Sequence, residues 1–226
     1  MDFELEREIL ELHEKNFTPQ QIAIYLGLRV FEVITVIQDN RKSPSLTEEV
    51  ELPPIAKCLV NTNCAKRLLD QTLPDEQVMS SLGLVLVARF QDYDYYSICT
   101  YLIDYLCLGV KDTMGPQELY HEKLDFVIKN SYQAFSDGYV NITLEEAQAI
   151  VLGSVNYAAK LGFKPHENFE NTYQYLGRWE QQLHLEFGLQ GKPFYINGPY
   201  DNFRQIIKTL EKNVGRGNFD YILGVG

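Results

Sequence analysis

The chain has 226 residues, 45% hydrophobic and 23% charged, with 20 basic against 31 acidic side chains and a net charge of −11. Such a length and composition suit a folded protein of one or two domains and exclude a disordered chain, while the negative field repels phosphate backbones and anionic membranes, so a nucleic-acid role has to overcome it locally. The acidic start carries no secretory signal, no run is long and apolar enough to cross a bilayer, and Cys58, Cys64, Cys99 and Cys107 show no CxxC spacing, so the expectation is a reduced, cytoplasmic protein with no membrane role.

Leu5, Ile9 and Leu12 recur at helical spacing and open a module of three short helices within residues 1–43. Thr18-Pro19-Gln20-Gln21 starts the second: Thr18 caps, Pro19 occupies the first turn, and Gln21 completes a capping box. Gly27 supplies a tight turn, and Val30 to Gln38 is the third helix. Residues 44–54, rich in Ser, Pro and charge without an apolar period, read as a linker to an α+β domain over 55–226.

That larger domain begins with a helix expected from about Ala56, with Ala65, Leu68 and Leu69 inward. Its centre is the hairpin formed by Leu84–Ala88 and by Tyr96–Leu108, joined across the polar break at Gln91–Asp94. Gly115-Pro116 is expected to open a helix reaching Ser136. A second capping box, Thr143-Leu144-Glu145-Glu146, opens another to Leu161, and a third runs from about Glu167 to Phe187. Pro193–Ile196 is a strand, Asp201 or Asn202 caps a helix that Gly215 stops, and Phe219–Val225 is the last strand. The fold class is α+β, a three-helix module followed by a helix-covered sheet.

The run ILELHEKNFTPQQIAIYLGLRVFEVITVI resembles the helix-turn-helix superfamily, with Ile22-Ala23, Leu26-Gly27-Leu28 and Val33 at the offsets that family uses. The resemblance implies a three-helix fold. A second resemblance rests on YLIDYLCLGVKD, YAAKLGFKPHENF and GKPFYINGPYDN, which look like blocks shared by uncharacterised bacterial hypothetical proteins; it assigns no residue a role.

Charge argues against a DNA reader. From Met1 to Ser45 five basic residues face eight acidic ones, where phosphate binding wants a basic face. The third helix is apolar on nearly every side, as a helix buried on both sides would be. The first expectation is therefore a non-enzymatic regulatory or adaptor protein that docks or self-associates through Val30, Phe31 and Ile34. The alternative is a sequence-specific DNA-binding regulator with a dimerisation or ligand-sensing domain, in which Arg29, Thr35 and Gln38 reach base edges and Arg41 and Lys42 hold phosphates. The third reading is an enzyme of unknown reaction, with Asp104, Asp112, His166 and Tyr195 facing one cleft. A carboxylate as deep in an apolar run as Asp104 needs a cation, and Lys111 or Arg89 are the nearest in sequence. His13, His121, His166 and His184 lack metal-ligand spacing and no nucleotide or hydrolase motif occurs, so no metal or cofactor is expected.

Overall fold

A computed structural model describes residues 3–15, 17–41, 52–77, 80–91, 94–179 and 183–223. The chain divides into two compact units, residues 1–51 and 52–226. The predicted linker falls outside the described residues up to Glu51. Among the described residues no single helix is long and apolar enough to cross a membrane.

The first unit holds α1 (Phe3–Glu14), α2 (Pro19–Leu26) and α3 (Val30–Arg41). Thr18 and Gln21 form the expected capping box at the start of α2. Gly27, at φ +69°, closes α2 with its N–H on the Ala23 carbonyl. Only Gly accepts that left-handed turn without strain, and the axis bends by 120° into α3. Ile9 of α1, Ile22 and Ala23 of α2, and Val33 of α3 make the dry centre.

The second unit is built on a five-stranded antiparallel sheet. Its strands are β1 (Ile55–Asn61), β2 (Leu82–Phe90), β3 (Tyr95–Asp104), β4 (Gly109–Tyr120) and β5 (Tyr139–Asn141), in spatial order β4-β3-β2-β1-β5. The hairpin of β2 and β3 is central as expected, in register from Leu82 opposite Asp104 to Phe90 opposite Tyr96. Alternation along β2 sends Leu84, Leu86 and Ala88 to one face, where they pack with Leu124, Ile128 and Tyr132. Those residues belong to α5 (Leu124–Ser131) and the turn after it. Val85 and Val87 point the other way and are equally buried. The long α6 (Leu144–Lys160) contacts β1 to β4 and opens on the Thr143–Glu146 capping box.

Several expectations are corrected. Ile55–Asn61 is a strand, because it lies between β2 and β5 and bonds to both; only Thr62–Leu68 (α4) is helical. The run after Asp104 turns at residues 105–108 rather than continuing as a strand, and β4 follows. Gly115-Pro116 lies inside β4 and opens no helix. Pro116 falls at the irregularity in β3–β4 pairing, between Thr100 opposite Met114 and Ile98 opposite Gln117, where a missing N–H breaks no ladder. The helix expected over Glu167–Phe187 shrinks to α7 (Phe169–Thr172) and a 3-10 turn to Leu176. Side chains from elsewhere claim its backbone: Gln148 donates to the Leu176 and Arg178 carbonyls, and Tyr101 to that of Thr172.

The chain ends in a strand-helix-strand unit, β6 (Phe194–Ile196), α8 (Phe203–Asn213) and β7 (Asp220–Ile222), with the two strands parallel. Tyr195, Leu210 and Phe219 pack here with Cys107 and Leu161.

Candidate functional site

In the first unit, α3 is closed on almost every side. Val30, Phe31 and Ile34 are 4%, 8% and 4% exposed, and Val33, Val36 and Ile37 are buried with them. The three side chains expected to meet a partner thus offer it almost no area. What this unit does expose is on α2: Ile24 is 72% and Tyr25 70% exposed, with Phe17 at 42% just before the cap. Gln21, Ile24 and Tyr25 share the outward face of α2, opposite Ile22 and Ala23.

Of the residues expected to read DNA, Arg29 and Thr35 are committed to partners on α3. Arg29 pairs with Glu32 one turn along, and its guanidinium also lies 4.6 Å over the Phe31 ring. Burial works to raise the Glu32 carboxyl, but hydrogen bonds and charge from Arg29 hold it below the usual carboxylate range. Thr35 gives its hydroxyl to the Phe31 carbonyl. The side chains of Gln38 and Arg41, and the whole of Lys42, lie outside the described residues.

The second unit gathers its unusual chemistry where β3 turns into β4. Asp104 ends β3 and is fully buried. Its Oδ1 accepts the N–H groups of Leu106 and Cys107, both at 3.0 Å, pinning the turn. Its Oδ2 is buried without a hydrogen-bond partner. Burial pushes this carboxyl up to about 7, against the opposing pull of the Lys111 charge and the two N–H donors; Asp201 adds to the rise.

Neither expected partner bonds to Asp104. Arg89 sits opposite Ser97, seven positions along β2 from Leu82, which faces Asp104. Its guanidinium donates instead to the carbonyls of Tyr175 (2.8 Å) and Pro53 (2.7 Å). Lys111 gives its ammonium to both oxygens of Asp201, at 2.9 and 3.0 Å. Asp201 also accepts the Gly198 N–H (2.9 Å) and the Tyr195 hydroxyl (3.2 Å). Burial raises the Asp201 carboxyl, yet the Lys111 hydrogen bonds and the Gly198 N–H outweigh it and hold the group below its ordinary value. Asn202, not Asp201, caps α8, accepting the Gln205 N–H.

The four residues expected to share a cleft therefore fall into two groups. Asp104 and Tyr195 belong to the network around Lys111 and Asp201. Asp112 and His166 form a second group, with His166 Nε2 3.8 Å from Asp112 Oδ1. Among the described residues no hydrogen bond or ion pair joins the two groups. Tyr195, His166 and Asp104 are also ill placed for catalysis. The Tyr195 hydroxyl already faces Asn197 at 2.9 Å, and burial raises it well above its usual range. His166 Nδ1 accepts the Asn168 N–H, so its free nitrogen is a donor and not a base. Asp104, its carboxyl pushed up to about 7 by burial, is sealed from solvent.

Asp201 is the hub that sequence reasoning missed. Adjacent Asp201 and Asn202 both suit a helix cap, and local pattern cannot choose between them; only the arrival of Lys111 from β4 does. Among the described residues no group of His, Cys, Asp and Glu side chains is arranged to hold a metal ion, and all four cysteines are unpaired and buried.

A cleft of about 230 Å³ lies beside the hub. Leu108, Val110, Phe163 and Ile206 form its apolar floor, and Lys111, Lys164 and His166 its polar rim. No family model, curated protein or solved structure matches this chain.

Proposed function

We propose that the protein is a non-enzymatic regulatory or adaptor protein of the cytoplasm, whose N-terminal unit is a helix-turn-helix used to dock onto a protein partner. The observation that carries this reading is the exposure of Ile24 and Tyr25 on the outward face of α2, at 72% and 70%. Large apolar groups paired on a short helix face suit an interface core, which favours aromatic anchors. The 120° bend across a three-residue, glycine-containing connection supports the helix-turn-helix reading. The partner it suits has an apolar centre and a basic rim, because Glu4, Glu6, Glu8 and Glu11 give α1 an acidic surface. A DNA-reading role finds less support, since Arg29 is held by Glu32 and Thr35 by its own backbone.

A photo-crosslinking side chain placed at position 25 of the full chain tests this in cells. The expected result is a discrete protein adduct that Ile24→Glu abolishes while the far-UV spectrum and melting temperature stay unchanged. An adduct pool dominated by nucleic acid, or one indifferent to Ile24→Glu, would overturn the reading.

A further inference from the structure

We propose that the cleft beside the Lys111–Asp201 bridge binds a small monocarboxylate carrying a hydrocarbon tail, giving the larger unit a ligand independent of any docking by the N-terminal helices. The rim consists of donors only. Lys164 is exposed and makes no ion pair among the described residues. His166 keeps its Nδ1 on the Asn168 N–H, so its proton sits on Nε2, and at 3.8 Å from Asp112 that proton is not spent in a hydrogen bond. Lys111 uses part of its ammonium on Asp201, and an ammonium has three donors to share.

No carboxylate lines the cleft, so a ligand must bring the acceptor. The apolar floor of Leu108, Val110, Phe163 and Ile206 asks for a tail that gains by leaving water. Asp201 is bonded to Lys111, Asp112 lies 3.8 Å from His166, and Asp104 is close enough to feel Lys111. A dianion such as phosphate doubles repulsion and attraction alike and has no hydrocarbon to place on the floor, so only a carboxylate with a tail uses both parts of the cleft. Size limits the tail, for about 230 Å³ is smaller than the roughly 300–1,000 Å³ of sites for drug-sized molecules.

The test is calorimetric titration of the full chain with octanoate, octanol, octylamine and inorganic phosphate, with amide NMR spectra to report the fold of each variant. Octanoate is expected to bind one to one with a Kd of about 1 mM or tighter, and octanol and octylamine at least about tenfold more weakly. Lys164→Gln/His166→Gln, which changes two residues on the rim and none in the core, is expected to weaken octanoate about tenfold. Ile206→Trp, which fills the floor, is expected to do the same without touching a charge. Equal affinity for octanol would show an apolar pocket with no carboxylate preference, and competition by phosphate a general anion site; either overturns the proposal. So does octanoate binding that both variants leave intact, or no saturable binding in the millimolar range.

Discussion

Replacing Asp104 by Asn separates a buried carboxyl that is tolerated from one that holds a salt bridge. The folded chain binds the Asp104 proton up to about pH 7, whereas an ordinary carboxyl releases it at 3.8. Between those values the folded state holds a proton that the unfolded chain has lost. Stability therefore falls as pH rises through the window, by about 1.4 kcal/mol per unit, and levels off above it. Ionising the group in place costs about 4 kcal/mol in all, an order-of-magnitude figure for so deep a site. Asn keeps an oxygen where Oδ1 accepts Leu106 and Cys107, and has no charge to desolvate. Its amide nitrogen inherits the partnerless position of Oδ2, at a cost of about 1 kcal/mol. Asp104→Asn should thus be neutral or slightly destabilising at pH 5. By pH 8 it should have gained about 2–3 kcal/mol on the wild type. Urea unfolding of both chains at pH 5, 6, 7 and 8 measures the gap. Parallel stability curves would refute the reasoning. A loss of about 3–5 kcal/mol at pH 8 would mean instead that Asp104 is one half of a buried ion pair.

Lys111→Met should destabilise by about 3 kcal/mol at pH 7, because it strands a carboxylate only 11% exposed. Asp201 is held below its ordinary value, so the bridge contributes above pH 3.8 and is lost as acid protonates it; the gap between variant and wild type should close below pH 4, and a second change, Asp201→Asn, should recover part of it. Gly109→Ala should cost several kcal/mol in the same assay, since φ is +71° and the new Cβ would lie 2.7 Å from Ala158 Cβ and 2.9 Å from the Ser154 carbonyl oxygen. Adding Ala158→Gly should not rescue it, because the backbone oxygen remains; full rescue would place the strain in the side chain alone. Burial raises the thiols, Cys58 to about 11 and Cys99 to about 12, so none of the four cysteines should react with an aromatic disulfide reagent at pH 8 until denaturant is added. Rapid reaction of the folded chain would show that the sheet opens locally.

Where a signal is local, reading it from the chain succeeds. The two capping boxes, at Thr18 and at Thr143, are complete within four residues and start helices where expected. The uninterrupted apolar run Leu84–Ala88 announces a strand covered on both faces, and β2 is the centre of the sheet. The same locality explains the failures. Ile55–Asn61 carries no strand period of its own, and becomes a strand because β2 and β5 lie on either side with unpaired groups to satisfy. The helical spacing of Phe169, Tyr173 and Leu176 is real, but Gln148 and Tyr101, distant in sequence, bind the carbonyls that would have extended the helix. The apolar third helix was legible as a buried one, and periodicity also turns Ile22 and Ala23 inward; how far Ile24 and Tyr25 on the other face stay uncovered, at 72% and 70%, is decided only by what packs around them.

At the candidate site the division is the same. Sequence marks Asp104 as a carboxyl in an apolar run, and desolvation follows from that environment alone. Which cation answers it depends on where β4 and the β6–α8 loop arrive in space. Lys111 is seven residues from Asp104, yet its ammonium goes to Asp201, ninety residues further on, and Asp104 keeps only the N–H groups of its own turn. A charge is satisfied by whichever partner the packed chain brings within 3 Å, and that distance is set by the sheet, the turn and the helix together.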